Sequence, residues 1–150
     1  MPTAAVIYAS LTGNNEEIAE YLVTQLRQLN VDAQQIEMST CKVTTLQQVN
    51  LAVIVPYTYG EGDLPEEGLD LFDELGQLQL PHLIFGVAGS GDEWYGENYC
   101  RAVTQFDQRL QTTGATQGAI PLFIDLRMTE DDQKRLRTFA RKLVATYEGS

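Results

Sequence analysis

Short runs of apolar residues alternate along the chain with segments in which apolar residues recur every three or four positions. The runs predict β-strands, and the recurring positions predict a buried stripe on each of several helices. The predicted strands cover residues 4–9, 31–38, 51–55, 83–88 and 119–124, and the predicted helical stripes cover 18–29, 69–75, 99–110 and 136–147. A short helix could fit in the polar stretch before the third strand. This alternation is typical of an α/β fold, a doubly wound parallel sheet of five strands with helices on both faces.

Two residues near the end of the chain refine this prediction. Pro121 lies within the last apolar run and has no backbone N–H to donate, so we expect that strand at an edge of the sheet. Thr129 precedes three acidic residues, a pattern that favours an N-cap and a negatively charged first turn at the start of the last helix.

The chain has 150 residues, of which 21 are acidic and 10 basic, so its net charge is −11. We expect one domain over residues 1–150, long enough to bury a core without disulfides. Because the chain is acidic and has few lysines, nucleic acids and membrane surfaces are not expected partners. No apolar run approaches the length of a membrane helix, and the first residues lack the features of a signal peptide. We therefore expect a cytoplasmic monomer in which Cys41 and Cys100 are reduced.

The loops that follow the first, third and fourth strands are the candidates for chemistry, because open parallel sheets bind ligands at the carboxyl ends of their strands. The first of these loops comprises Ser10, Leu11, Thr12, Gly13, Asn14 and Asn15. Its hydroxyl, amide and backbone donors at a helix start suit a phosphate group. The loop contains no Lys or Arg, which excludes the nucleoside-triphosphate P-loop and favours a retained phosphate monoester. A capped helix start without a ligand is the alternative.

The second and third loops combine glycine with aromatic residues. The second contains Pro56, Tyr57, Thr58, Tyr59, Gly60 and Glu61, and the third contains Gly89, Ser90, Gly91, Asp92, Trp94, Tyr95 and Tyr99. Aromatic side chains on either side of a cleft suit a flat ring, whereas isolated surface aromatics also occur at protein contacts. Together with the first loop, they favour a planar ligand that carries a phosphate.

The segments SLTGNN, YTYGEGDLP and GSGDEWYGENYC, in this order and spacing, resemble the flavodoxins, small electron carriers that bind FMN. The resemblance covers essentially the whole chain and implies a flavodoxin-like sheet of order 2-1-3-4-5. No inserted loop splits the segment 118–125 before the last helix, so the chain is similar to the short-chain members. The family assigns the chemistry to FMN and implies no catalytic residue of the protein's own.

The resemblance also implies roles for individual residues. Ser10, Thr12, Asn14 and Asn15, with the N–H groups of Leu11 and Gly13, would hold the FMN phosphate, with help from Thr58. Tyr59 would lie on one face of the flavin and Tyr95, or alternatively Trp94, on the other. Asp92 and nearby backbone would meet the pyrimidine edge, and the Gly60–Glu61 peptide would turn a carbonyl towards flavin N5. Asn15 and Tyr59 depart from the family, which often has Thr and Trp at these positions.

Ten acidic residues and no Lys or Arg lie between Glu61 and Glu97. Reduced flavin is an anion, so acidic residues beside it disfavour the addition of its last electron. This predicts a low reduction potential. Such a surface favours docking with basic partners, and the resemblance implies an NAD(P)H-dependent flavodoxin reductase as donor and low-potential enzymes as acceptors. A solvated acidic face is the alternative.

Other functions fit the sequence less well. An accessory flavoprotein that activates ribonucleotide reductase, or a small FMN oxidoreductase, is the main alternative to a one-electron carrier. A phosphorylatable signalling receiver would need acids where Ser10 and Pro56 stand. His82 has no nucleophile or carboxylate arranged around it in sequence, and Cys100 is expected to pack at a helix start.

Overall fold

The computed structural model describes residues 1–10, 13–58 and 62–149. The strands are β1 (Thr3–Tyr8), β2 (Asp32–Glu37), β3 (Leu51–Val55), β4 (Ile84–Gly91), β5 (Thr116–Gln117) and β6 (Leu122–Asp125). The α-helices are α1 (Asn14–Gln28), α2 (Val43–Gln48), α3 (Leu69–Leu75), α4 (Arg101–Gln111) and α5 (Glu130–Glu148). Short 3₁₀ helices cover Met38–Thr40, Glu66–Gly68 and Glu93–Asn98. Within these ranges, no helix combines the length and the apolar character that crossing a bilayer requires.

The strands form one parallel sheet in the order β2-β1-β3-β4-β5, and β6 also pairs with β4. In the register, Val6 of β1 lies opposite Val53 of β3, and Val53 lies opposite Gly86 of β4. The order 2-1-3-4-5 that the resemblance implies is confirmed. Because β1 and β3 are neighbours although they are not consecutive in the chain, the loops that follow them diverge to opposite faces and open a crevice between them.

The prediction of one last strand over residues 119–124 differs from the structure, in which two short strands lie beside β4. The strand β5 pairs with Ile84 and Phe85 of β4, and β6 pairs with residues 88–91 of β4. Pro121 lies in the four-residue interruption, where it has no N–H to offer the ladder. Both short strands pair only with β4 among the described residues, so the predicted edge position is confirmed.

The apolar side chains of each central strand alternate between two cores, one on each face of the sheet. Val6 belongs to the core beneath α1 and α5, which includes Leu22 and Phe139. Ile7 belongs to the core beneath α3 and α4, which includes Phe106. This alternation explains why the central strands are apolar throughout, and it confirms a sheet covered on both faces.

The start of α5 also follows the prediction from sequence. Thr129 Oγ1 accepts a hydrogen bond from the Asp132 N–H, and the Asp132 carboxylate accepts one from the Thr129 N–H. This reciprocal capping box fixes the chain where it leaves β6 and enters the helix.

Candidate functional site

A cleft lies at the carboxyl ends of β1, β3 and β4, where the three loops singled out in the sequence converge. It has a volume of about 160 Å³ and is lined by Ser10, Asn14, Asn15, Tyr57, Thr58, Ser90, Gly91, Asp92 and Leu126. Each of the three loops contributes at least two of these residues. The three loops singled out in the sequence therefore lie together at one cleft.

The first loop leads into α1 through a left-handed residue. Gly13 is the N-cap of α1 with φ 89°, and its N–H donates to Ser10 Oγ at 2.8 Å. A residue with a Cβ is strained at this φ, so glycine suits the turn. The first N–H groups of α1 have no acceptor within the helix and carry the positive end of its dipole. This end of the cleft presents neutral donors suited to an anion.

The side chain of Asn15 requires a correction to the sequence-based expectation. It is buried, and its Nδ2 group donates to the carbonyl oxygens of Ala9 at 2.8 Å and Val55 at 3.1 Å. Its Oδ1 atom accepts from Ser90 Oγ at 2.6 Å. Since both amide hydrogens are used, this side chain has no donor left for a phosphate. It lines the cleft and joins the ends of β1, β3 and β4.

Thr58 connects the second loop to its surroundings. Its N–H donates to the Ser90 carbonyl at 3.1 Å, and its Oγ1 atom accepts from the Ala102 N–H at 3.0 Å. The latter bond caps α4 from outside, where the N-cap Cys100 has a left-handed backbone and makes no side-chain cap. The Thr58 hydroxyl keeps its own proton as a donor.

The third loop is held by two carboxylates. Asp92 accepts from the Trp94 N–H at 2.9 Å, and Asp125 accepts from the Glu93 N–H at 3.0 Å. Within this loop, Trp94 is 85% exposed and Tyr95 is 39% exposed. Neither ring is among the cleft-lining residues, so the choice between them as a flavin-stacking residue stays a prediction.

Tyr99, Gly89 and Pro56 were also expected at the ligand, and they are not among the described residues that line this cleft. The Tyr99 ring packs edge-on against Phe123, with centroids 5.9 Å apart, and burial raises its pKa above the usual range. Gly89 is buried in β4, where an added Cβ would collide with the Pro56 carbonyl oxygen. Their roles at the ligand stay predictions.

Five of the predicted contact residues lie outside the described residues: Leu11, Thr12, Tyr59, Gly60 and Glu61. Their roles stay predictions. One cleft residue was missed from sequence. Leu126 lies directly after β6, has φ 57° and is 52% exposed, and its N–H donates to the Gly91 carbonyl at 2.8 Å. Because leucine rarely adopts a positive φ, nothing in the local sequence indicated this turn.

Two titratable groups of the described residues, Cys100 and His82, were singled out in the sequence. Cys100 is buried, and desolvation raises the pKa of its thiol to about 11, which keeps it protonated at neutral pH. His82 is exposed and lies just before the amino end of β4, whereas the cleft lies at the carboxyl ends of the strands. Across residues 1–10, 13–58 and 62–149, no three His, Cys, Asp or Glu side chains gather as metal ligands would.

Comparisons with known proteins agree with this geometry. The family model described as Flavodoxin matches residues 6–139. A probable flavodoxin 1 of Bacillus subtilis (strain 168) is 36% identical over 146 residues, which are 97% of this chain and 92% of that protein. The solved structure of a short-chain flavodoxin associated with a non-canonical PDU bacterial microcompartment is 44% identical, with a TM-score of 0.96 over 98% of this chain and 99% of that one.

A flavodoxin of Streptococcus pneumonia TIGR4 is 40% identical, with a TM-score of 0.92 over 96% of this chain and 99% of that one. These matches span almost the whole chain, including the three loops of the cleft. The chain therefore belongs to the flavodoxin family, whose members bind FMN and transfer electrons rather than catalyse a reaction of their own.

Proposed function

We propose that this chain is a low-potential one-electron carrier whose FMN binds in the carboxyl-end cleft, with residues 1–150 acting as one domain. The observation that carries the proposal is the convergence in one cleft of Ser10, Asn14 and the positive end of α1. This donor set fits a phosphate monoester, and the acids near the cleft fit a cofactor that is reduced at low potential. FMN supplies the reversible acceptance of electrons, and the protein supplies binding, orientation and electrostatics.

The phosphate end of the cofactor would be held without a cation. Ser10 and Asn14 offer side-chain donors, and Thr12 and the backbone N–H groups of the first loop complete the expected set. Asn15 contributes indirectly, because its three hydrogen bonds fix the strand ends from which the loops leave. The neutral donors would retain the phosphate monoester by hydrogen bonds and the helix dipole alone.

The flavin end would lie between the second and third loops, with Tyr59 on one face and Tyr95 on the other. Asp92 and the neighbouring backbone would meet the pyrimidine edge. A negative charge added to the ring would be repelled by Asp92, Glu93 and Glu97, which lie on the same loop. We therefore expect the potential for the last electron to lie below that of free FMN.

Thr12→Val tests the assignment of the phosphate subsite. Because Val keeps the shape of Thr and removes its hydroxyl, we expect FMN affinity to fall about tenfold, the effect of one hydrogen bond to a charged group. Riboflavin has no phosphate, so its affinity should change by less than about twofold. Titration of the apoprotein with each flavin, followed by quenching of flavin fluorescence, measures both constants.

Thr24→Val is the matched control, since Thr24 lies on the exposed face of α1 and its hydroxyl donates only to the Glu20 carbonyl. It should leave both affinities unchanged. Equal losses of FMN and riboflavin affinity in Thr12→Val would show that Thr12 does not contact the phosphate.

Tyr95→Ala and Trp94→Ala decide which third-loop ring stacks on the flavin. Trp94 is almost fully exposed, whereas Tyr95 is partly covered, so we expect only Tyr95→Ala to weaken FMN binding, by roughly tenfold for a lost aromatic contact. Tyr95→Ala should also shift the visible absorption bands of bound FMN. Both affinities and both spectra are measured on the purified variants, and the opposite ranking would assign the stacking to Trp94.

The acidic surface supports the proposed redox partners. It comprises Asp63, Glu66, Glu67, Asp70, Asp73, Glu74, Asp92, Glu93 and Glu97, of which all but Glu67 and Asp92 are exposed. Such a surface steers basic proteins towards the third loop and loses its effect as salt is added. An NAD(P)H-dependent flavodoxin reductase as donor and low-potential enzymes as acceptors, met by a monomer in the cytoplasm, fit this chemistry.

A further inference from the structure

A second and larger cavity lies between the interruption of the edge strand and α5. Its volume is about 340 Å³, within the range of small-molecule sites. Its apolar wall includes Ile120, Leu122 and Phe139, and its cationic wall includes Lys134, Arg135 and Lys142. We call this cavity the α5 groove.

The apolar part of the groove is open because the edge strand is interrupted. Leu122 and Phe139 are 7% and 3% exposed and form its floor, whereas Ile120 is 71% exposed at its rim. Ile120 lies in the segment between β5 and β6, outside both strands. The groove thus presents an exposed aliphatic side chain above a closed apolar floor.

The cations of the groove are spaced along one side of α5. Lys134 and Lys142 are two helical turns apart, with Thr138 between them on the same stripe. Arg135 pairs with Asp132 at 3.0 Å, whereas neither lysine ammonium forms an ion pair with any carboxylate in the described part of the chain. None of the described residues that line the groove is acidic.

The basic residues of this acidic chain are concentrated near the groove in sequence. Six of the ten basic residues lie between positions 127 and 142, namely Arg127, Lys134, Arg135, Arg137, Arg141 and Lys142. The ten acids of the segment 61–97 lie elsewhere in the chain, and the groove shares no lining residue with the FMN cleft. The groove begins at the amino end of β6, and the cleft begins beyond its carboxyl end, at Leu126.

We propose that the α5 groove is a binding site for a small amphipathic anion, a carboxylate or sulfonate with a compact apolar body. The apolar body would lie between Ile120 and Phe139, and the anionic group would lie near Lys134 and Lys142. An apolar floor with a cationic rim favours this class over a neutral apolar molecule, which the lysines would not recognise, and over a cation, which they would repel. The proposal does not depend on FMN and concerns a separate site.

The experiment titrates the FMN-loaded protein with three probes that share one apolar body: 4-phenylbutyrate, 4-phenylbutanol and 4-phenylbutylamine. Amide chemical shifts in two-dimensional NMR report where each probe binds and how tightly. We expect 4-phenylbutyrate to shift residues 119–122 and 134–142, to bind about tenfold more tightly than the alcohol, and the amine not to bind. The flavin absorption spectrum should not change.

Lys134→Gln combined with Lys142→Gln should weaken 4-phenylbutyrate binding about tenfold and remove its preference over the alcohol. Ile120→Ser should weaken the binding of both 4-phenylbutyrate and 4-phenylbutanol. Arg141→Gln is the matched control, because Arg141 is an exposed cation of α5 that does not line the groove. Equal binding of all three probes, shifts centred on the FMN cleft, or no shifts at millimolar 4-phenylbutyrate would overturn the proposal.

Discussion

Replacing Asn15 by Ala is expected to lower the free energy of unfolding of the apoprotein by about 3 kcal/mol. The change removes the Asn15 donor from the buried Ala9 carbonyl and the acceptor of the Ser90 hydroxyl. The Val55 carbonyl loses one of two donors and keeps the Ala9 N–H at 3.0 Å. Each buried polar group left without a partner carries a desolvation penalty of about 1–3 kcal/mol. For a chain of this length, we expect the melting temperature to fall by roughly 6–12 °C.

Urea unfolding of the apoprotein, followed by circular dichroism, measures this effect, and Asn14→Ala is the control. Asn14 has the same side chain, directly precedes Asn15 and also lines the cleft, but it is only partly buried. We expect Asn14→Ala to change the stability of the apoprotein by less than about 0.5 kcal/mol and to weaken FMN. Equal stabilities of the two variants would show that the Asn15 network does not hold the strand ends together.

The same network has a consequence for FMN binding. Asn15 and Ser90 join the first loop to the third. Asn15→Ala should therefore also lower the affinity for riboflavin, which has no phosphate. Replacing a residue that contacts the phosphate directly, as proposed for Thr12, should lower the affinity for FMN alone. The two variants therefore separate a residue that positions the loops from one that contacts the phosphate, and flavin titrations distinguish them.

The sequence predicted the strands, the helices and the three loops that line the cleft because these depend on local patterns. The apolar run at 51–55 and the helical stripe at 136–147 identify their elements without reference to distant residues. The loops could be located because ligands bind where parallel strands end. The alternation of strands and helices was therefore enough to place the cleft.

The details that the sequence did not predict depend on distant residues. Asn15 turns inward because carbonyl groups and a hydroxyl from three strand ends meet at its amide, and two of these partners lie 40 and 75 positions away. An asparagine at the start of a helix looks the same in sequence whether its side chain faces a ligand or the core. Only the positions of those partners decide its role.

The edge strand shows the same limit in a different way. Residues 119–124 form an unbroken apolar run, which predicts one strand, and Pro121 indicates only that the strand lies at an edge. Whether the strand continues through the proline or stops depends on how the chain packs against β4 and α5. The interruption, and the groove that it opens, could therefore be seen only in the structure.

Gly89→Ala is expected to destabilise the protein by about 3 kcal/mol or more, although it adds a single methyl group. The new Cβ would collide with the backbone carbonyl oxygen of Pro56 and lie 2.9 Å from Val103 Cγ2. A flexible side chain can rotate away from such a contact, but a carbonyl oxygen moves only with its backbone. The end of β3 and the end of β4 would have to separate where the second and third loops leave the sheet.

This separation should lower the affinity for FMN as well as the stability of the fold. Tyr57 and Thr58 directly follow Pro56 in the chain, and both line the cleft. Unfolding of Gly89→Ala with and without added FMN measures both effects, since the stabilisation by a ligand depends on its affinity for the folded state. Gly149→Ala is the control, as its Cβ would lie 3.4 Å from the nearest atom, an ordinary contact. If Gly89→Ala kept both its stability and its FMN stabilisation, the close approach of Pro56 to Gly89 would not determine the spacing of the two loops.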